Sequence, residues 1–110
     1  MSLHIRERYG LLINNEWVPA SDGAEFNVYN PANGEQLAVC AEATQADVDK
    51  AVAAATEAFK MWKTVSQVNR ADYLLKIADA IDAHKEHLAQ VETYDNGKPI
   101  RETLNVDIPL

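Results

Sequence analysis

The spacing of apolar residues changes at Thr44, and this change constrains the fold of the chain more than any other feature. Before Thr44, short runs of strand-forming residues alternate with turn residues such as Pro, Asn and Gly. After Thr44, apolar residues recur every three or four positions, as they do on one face of a helix. Over 110 residues this order predicts a domain of short strands followed by at least three helices.

The first part of the chain, residues 11–43, predicts short strands separated by turns. One extended segment surrounds Asn14–Asn15, and a second contains Phe26 and Val28 in an alternating pattern. A hairpin-type turn at Asn33–Gly34 then leads into another strand. Two or three short strands are only marginally stable in water, so these strands need a partner.

The first predicted helix begins at Thr44. The acidic Asp47, three residues later, completes a capping box in which side chain and backbone exchange hydrogen bonds. The apolar residues after the cap follow one another at spacings of four, three, four and three: Val48, Val52, Ala55, Phe59 and Trp62. This spacing predicts a helix of about five turns whose apolar stripe packs on a core.

Two more helices follow. Ser66 is a predicted N-cap, and the helix after it has an apolar stripe that we expect to be buried. The members of that stripe are Leu74, Ile77, Ala78 and Ile81. The pattern loosens at residues 82–87, where we expect a break. In the next helix Leu88, Val91 and Asp95 share one face, which predicts a carboxylate among apolar side chains.

The segment "ETYDNGKPIRET" is predicted to be a helix junction. Gly97 suits the left-handed position that ends a helix, and Pro99 suits the first turn of the next one. A desolvated Asp95 carboxylate requires a hydrogen-bond or ion partner. The local candidates are the backbone N–H groups of the junction and the side chains of Lys98 and Arg101.

Composition excludes several classes of partner. The net charge of −7 argues against nucleic acid and against an anionic membrane surface, since both require basic residues. No apolar run reaches the ~20 residues of a membrane span, and the first residues lack the apolar region of a signal peptide. A single cysteine fits a reducing cytosol.

The residues that could carry chemistry are few. Cys40 lies in a predicted strand between small apolar residues, which favours a structural role. His84 and His87 have a spacing that can bind metal, but their charged neighbours favour a solvated face. The chain has four glycines, too widely spaced for a dinucleotide-binding or phosphate-binding loop. We therefore assign no catalytic residue and no cofactor-binding residue within the chain.

Four motifs in order resemble one family. They are "NPANGE", "AFKMW", the arginine at Arg70 and "ETYDNGKP". Together they are similar to the N-terminal region of the NAD(P)-dependent aldehyde dehydrogenases, over about residues 11–110. "GKPIRETLNVDIPL" resembles the acetaldehyde-type and related branches of that family.

The resemblance implies an α/β fold, namely the N-terminal part of a cofactor-binding domain, with a β-hairpin followed by several α-helices. In the family the catalytic cysteine, the glutamate base, the oxyanion-binding asparagine and the nucleotide-binding strands lie downstream of this region. The segment should therefore be inactive alone. The parent enzyme would oxidise a small-molecule aldehyde to a carboxylic acid with NAD or NADP, as a cytoplasmic homo-oligomer.

The same resemblance implies an organisation and two sites. Residues 1–10 are expected to be a tail, with residues 1–3 a candidate cloning remnant. Residues 11–43 form the β-hairpin region and residues 44–110 the helical region of one incomplete domain. Asp95 and the backbone carbonyl of Val28 would bind a structural sodium ion, as an alternative to the local partners of Asp95. The residues expected at the mouth of the substrate tunnel are Val106, Asp107 and Leu110.

A second interpretation remains open at this point. The chain could be a small non-enzymatic interaction module of two or three helices and a hairpin. Such a module would have its own buried core, whereas an enzyme segment would leave apolar surface uncovered.

Overall fold

The computed structural model describes residues 4–110, and the candidate cloning remnant at residues 1–3 lies outside the described part. Five short strands come first: β1 (Arg8–Tyr9), β2 (Leu11–Ile13), β3 (Glu16–Val18), β4 (Glu25–Tyr29) and β5 (Gln36–Ala41). The helices follow: α1 (Gln45–Trp62), α2 (Gln67–Ala83), α3 (Lys85–Asn96) and α4 (Ile100–Glu102). A π-helical turn at Thr103–Asp107 continues directly from α4. The predicted α/β class, strands before helices, is confirmed.

Strands β2 and β3 form a tight antiparallel hairpin. Its two turn residues, Asn14 and Asn15, have φ angles of 51° and 63°. Two successive left-handed residues make the turn type whose twist matches that of the paired strands, and asparagine tolerates this conformation. The single extended segment predicted around this pair is therefore two strands.

The other three strands form a sheet in the order β1-β5-β4. Strands β4 and β5 are antiparallel and are joined by the predicted turn, in which the Asn30 N–H donates to the Glu35 carbonyl at 2.8 Å. Strand β1 runs parallel to β5, and Arg8 pairs with Val39. No strand was expected within residues 1–10, because two residues are too short to show a period.

The helix boundaries follow the predicted caps. The Thr44 side chain and the Asp47 side chain form a complete capping box at the start of α1. The Ser66 hydroxyl accepts a hydrogen bond from the Asn69 N–H at 3.2 Å at the start of α2. Helices α2 and α3 are separated by His84 alone, within the predicted break. No helix in residues 4–110 is both long and apolar enough to cross a membrane.

The apolar stripes of α1 and α2 were expected to be buried, but they are exposed in the described residues. Val52 and Phe59 on α1 are 59% and 56% exposed, and Leu74 on α2 is 68% exposed. Among the described residues, the buried hydrophobic side chains are three alanines, namely Ala20, Ala38 and Ala89. Helical spacing identifies the apolar face of a helix, but it does not supply the surface that covers that face.

The dimensions of the chain agree with this open packing. The accessible surface is 8375 Å², whereas a compact protein of this mass exposes about 6,000 Å². The radius of gyration is 17.0 Å, against about 13 Å for a compact domain of this length. The shape is flat, with extents of 47 × 38 × 18 Å. The described residues therefore form a layered sheet-and-helix structure without a closed core.

Candidate functional site

The best packed polar region lies where α3 ends. Gly97 ends the helix in the predicted left-handed conformation, with φ of 80°. A Cβ atom at this position would lie 3.0 Å from Pro31 Cγ, so glycine also allows the turn between β4 and β5 to approach the helix end. Pro99 lies immediately before α4, one residue earlier than expected. The absence of a side chain at Gly97 thus lets the β4–β5 turn of the sheet lie close to the end of α3.

A cleft of about 460 Å³ opens beside this junction. One wall comes from the turn between β4 and β5, and the other comes from the last two turns of α3 and the start of α4. The lining residues are Asn30, Ala32, Gln90, Thr93, Tyr94, Gly97 and Ile100. Asn30 is buried, and its side-chain oxygen accepts a hydrogen bond from the Ala32 N–H at 2.9 Å. The cleft is therefore built from ordered turn and helix residues.

The π-helical turn is anchored to α3 by a buried threonine. Thr103 is 0% exposed, and its hydroxyl lies 2.9 Å from the Thr93 hydroxyl and 3.2 Å from the Ile100 carbonyl. The Ile108 N–H donates to the Thr103 carbonyl at 3.1 Å, which closes the wide turn. A π-helical turn is rare and is often found at functional sites.

An ion pair connects the two ends of the same segment. Lys98 Nζ donates to Asp107 Oδ2 at 2.5 Å, across nine positions of sequence. This hydrogen bond raises the pKa of Lys98 above its ordinary value, against the opposing effect of partial desolvation. Arg101, the other basic residue considered as a partner for Asp95, pairs instead with the adjacent Glu102 at 3.2 Å.

The three residues expected at a substrate entrance lie in or beside the π-helical turn. Val106 is 42% exposed and Leu110 is 98% exposed. Between them in sequence, Asp107 is half-buried and is held by Lys98. Val106 therefore lies within the π-helical turn, one residue before a carboxylate that is held in place.

The expected burial of Asp95 is wrong. Asp95 is exposed, whereas the buried side of α3 is marked by Ala89 and the half-buried Thr93. Asp95 is two positions after Thr93, which places the carboxylate about 200° around the helix axis. The local cations, Lys98 and Arg101, have other partners, so they do not pair with Asp95.

Val28, the other expected sodium ligand, is half-buried in β4 opposite Ala38. The geometry joins the turn after β4 to the end of α3 through Pro31 and Gly97. A carbonyl and a carboxylate are hard oxygen ligands, which are the kind that such cations prefer. No cluster of three or more His, Cys, Asp or Glu suited to a metal occurs within residues 4–110.

A second polar cluster fastens α1 to the turn after β3. The Asp47 carboxylate accepts hydrogen bonds from the Thr44 N–H at 2.9 Å and from the Ser21 N–H at 3.0 Å. The hydroxyls of both residues also donate to it, at 3.0 and 3.2 Å. The Thr44 N–H and then the Ser21 N–H lower the pKa of Asp47 from 3.8 to about 2. Asp47 is 3% exposed, so this carboxylate is a structural anchor.

The thiol and the imidazoles lie outside both clusters. Cys40 is half-buried in β5, where it pairs with Tyr9 on one side and Phe26 on the other. The Nδ1 atom of His84 lies 2.8 Å from the Ala80 carbonyl, to which it donates, so this imidazole caps the end of α2. Neither arrangement brings a base to a nucleophile.

The sequence analysis did not predict two contacts of residues 98–107, namely the pairing of Lys98 with Asp107 and that of Thr93 with Thr103. The oppositely charged Lys98 and Asp107 are nine positions apart across a helix boundary, where no periodicity applies. The pairing of Thr93 with Thr103 likewise depends on how α3 and the π-helical turn pack. From the residues themselves, the Gly97 and Pro99 signals predicted the helix junction, and the family resemblance pointed to Val106, Asp107 and Leu110.

Helices α1 and α2 leave an apolar face exposed, whereas α3, α4 and the π-helical turn pack together into what we call the corner. This combination is typical of a segment of a larger α/β protein. The aldehyde dehydrogenase family model matches residues 17–110, and the chain belongs to this family. The predicted resemblance is therefore confirmed.

Similarity to individual relatives supports this family assignment. The chain is 52% identical over 102 residues to the Bacillus subtilis protein DhaS, named as an aldehyde dehydrogenase, and the match covers 91% of this chain and 21% of that protein. It is 47% identical over 105 residues to an acetaldehyde dehydrogenase of Pseudomonas aeruginosa, covering 96% and 21%. An NAD+ complex of an aldehyde dehydrogenase from Bacillus cereus superimposes with a TM-score of 0.89 at 44% identity, covering 93% and 21%. The chain spans about a fifth of the length of these relatives.

Proposed function

We propose that the chain is the N-terminal segment of an NAD-dependent aldehyde dehydrogenase that oxidises an aldehyde to a carboxylic acid. The segment contributes a β-hairpin and outer helices to the cofactor-binding domain and is inactive alone. The single observation that carries this proposal is the open apolar face of α1 and α2, which requires a covering surface. A self-contained interaction module would instead bury these side chains in its own core.

The chemistry of the reaction supports the inactivity of the segment. Aldehyde oxidation needs a thiolate that adds to the carbonyl, a nicotinamide that accepts hydride, and a base that activates water. The thiol of this chain, Cys40, is half-buried within a sheet. The chain also lacks a glycine-rich turn that could bind the pyrophosphate of NAD. These functions would come from elsewhere in the enzyme.

The choice of NAD over NADP follows the solved relative from Bacillus cereus, whose complex contains NAD+. We further propose a cytoplasmic homo-oligomer with small aldehydes as substrates. The acidic charge of −7 and the single cysteine support this environment. Nucleic acid and membrane partners are not part of the proposal.

The substrate entrance is proposed at Val106, Asp107 and Leu110. The π-helical turn that contains Val106 and Asp107 supports this proposal, because such turns are frequent at functional sites. In the complete enzyme, Val106→Trp should raise KM for bulky aldehydes more than KM for acetaldehyde. Equal increases for both would remove Val106 from the entrance.

A structural sodium ion is proposed between the Asp95 carboxylate and the Val28 carbonyl. The exposed position of Asp95 leaves this carboxylate available to a ligand from outside the described residues. In the complete enzyme, Asp95→Asn should lower the melting temperature in sodium chloride, and the loss should shrink when sodium is withdrawn. An unchanged melting temperature in both conditions would rule out the ion.

The proposed function is tested by comparing two proteins in one assay. The first is the isolated chain. The second is a chimera, the Pseudomonas aeruginosa acetaldehyde dehydrogenase with its 105 matching residues replaced by those of this chain. We expect acetaldehyde-dependent NADH formation from the chimera, within about tenfold of the parent enzyme, and none from the chain alone. NADH formation by the isolated chain, or an inactive folded chimera, would contradict the proposal.

A further inference from the structure

The π-helical turn at Thr103–Asp107 determines where the following side chains lie. Its closing hydrogen bond joins the Ile108 N–H to the Thr103 carbonyl, five residues apart. An α-helical turn spans one residue fewer, and each residue advances the helix by about 100°. If the turn relaxed to α-helical geometry, the side chains after it would rotate by roughly that angle. The direction of Leu110 therefore depends on keeping the wide turn.

Two contacts hold the wide turn from opposite ends. At its start, the buried Thr103 hydroxyl contacts the Thr93 hydroxyl of α3. At its end, Asp107 is held by Lys98, which follows the helix-ending Gly97. The first contact is buried and is part of the fold. The second is partly exposed, with side-chain exposures of 47% for Lys98 and 23% for Asp107, so it can be altered without opening the packed corner.

The Lys98 end of the ion pair is itself fixed. The Lys98 N–H donates to the Asn96 side-chain oxygen at 2.8 Å, and the next residue, Pro99, has a restricted φ of −60°. The lysine therefore leaves the chain from a rigid junction rather than from a mobile loop. The backbone that carries Lys98 is therefore fixed, and the ion pair with Asp107 holds the far end of the lysine side chain at the last residue of the π-helical turn.

We propose that Lys98 is a positioning residue for aldehyde selection, because its ion pair with Asp107 holds the π-helical turn that orients Val106 and Leu110. This inference rests on the proposed function and on the proposed entrance. Lys98 does not touch the aldehyde. It acts through Asp107 on the shape of the entrance, so it affects the discrimination between substrates and leaves the chemical step unchanged.

The test uses the chimera and compares KM and kcat for acetaldehyde and for phenylacetaldehyde. Lys98→Met should change the ratio of the two KM values about three- to fivefold, the scale of a partly exposed ion pair, with little change in kcat. Lys98→Arg keeps the charge and should restore the ratio. Lys50→Met removes an exposed lysine of α1 and is the matched control, with no expected change.

Two further measurements separate this role from a general loss of stability. High salt should shift the KM ratio of the unmodified chimera toward that of Lys98→Met, because salt screens a partly exposed pair, and it should leave Lys98→Met itself unaffected. The double variant Lys98→Met/Asp107→Asn should be no worse than Asp107→Asn alone.

The outcomes are distinguishable. An active chimera whose KM ratio is the same with and without the Lys98→Met substitution would overturn the inference and leave the proposed function standing. Equal changes in both KM values would also overturn it, since they indicate a uniform loss of binding. An inactive unmodified chimera would overturn the proposed function and this inference with it.

Discussion

The corner built from α3, α4 and the π-helical turn differs sharply in burial from helices α1 and α2. In the corner, Ala89 and Thr103 are 0% exposed, and the Thr103 hydroxyl pairs with the Thr93 hydroxyl. In α2, every residue is exposed except the half-buried Arg70. The edge-on contact of Trp62 with Tyr73, with ring centres 5.3 Å apart, is the aromatic contact that joins α1 to α2.

The two regions depend on different contacts. The corner is specified by contacts within the chain itself. The α1–α2 face is specified by its spacing, but its partner surface is absent from the described residues. Under the proposed function, the corner already has its own packing contacts within the chain. The α1–α2 face is instead an internal packing surface of the enzyme.

The largest expected effect comes from truncating the α1–α2 face. Ile77→Ala should destabilise the chimera by about 2–5 kcal/mol, the usual loss for a buried isoleucine. The same change in the isolated chain should cost less than about 0.5 kcal/mol, because Ile77 is 55% exposed there. Urea unfolding followed by circular dichroism measures both values.

The matched control for Ile77 is Asp79→Ala, two residues further along α2 and also exposed. It should have a small effect in both proteins. A small effect of Ile77→Ala in the chimera would show that the α1–α2 face stays uncovered in the enzyme.

A smaller effect is expected at the corner. Gly97→Ala places a Cβ atom in a left-handed residue and 3.0 Å from Pro31 Cγ. The conformation alone costs about 1–2 kcal/mol. Gly34→Ala is the control, since Gly34 has φ of 75° but no atom within 4 Å of the added carbon.

The difference between these glycine variants isolates the contact with the β4–β5 turn. Thermal unfolding of the chimera should show a larger loss for Gly97→Ala than for Gly34→Ala. Equal losses would mean that the approach of Pro31 to the helix end contributes nothing to stability.

The smallest effect is a pH dependence at the start of α1. The folded pKa of Asp47 is about 2, below its ordinary 3.8, so the ionised form is favoured in the folded state. Its contribution to stability is complete above the ordinary value and is lost as pH falls through about 2. Helix content measured between these pH values should fall less steeply in Asp47→Asn than in the unmodified chain.

Asp49→Asn removes the same charge from the same helix at an exposed position and serves as the control. Its pH profile should match that of the unmodified chain. Identical profiles for all three proteins would show that the hydrogen bonds from Thr44 and Ser21 do not stabilise the fold.

Local signals predicted much of the fold. Thr44, Ser66 and Gly97 act at the helix ends where they were expected, because capping depends on residues close in sequence. The strand pairing around the Asn33–Gly34 turn was equally local. Strand β1 was missed, because it exists only through its pairing with the distant β5.

Predictions about burial and about the site were weaker for a related reason. Leu88 and Val91 are half-buried, as their spacing predicts, but Asp95 is exposed, and the fully buried residue of α3 is Ala89. Which side of α3 is covered depends on where the π-helical turn packs. The ion pair of Lys98 with Asp107 depends on the same packing, and no pattern along the sequence encodes it.

Hydrogen exchange followed by mass spectrometry, on the isolated chain and on the chimera, tests the central claim most directly. In the isolated chain, amides of α1 and α2 should exchange at least about tenfold faster than those of α3, because local protection follows buried contacts. In the chimera, α1 and α2 should become protected while α3 changes little. Equal protection of all three helices in the isolated chain, or unprotected α1 and α2 in the chimera, would contradict the account.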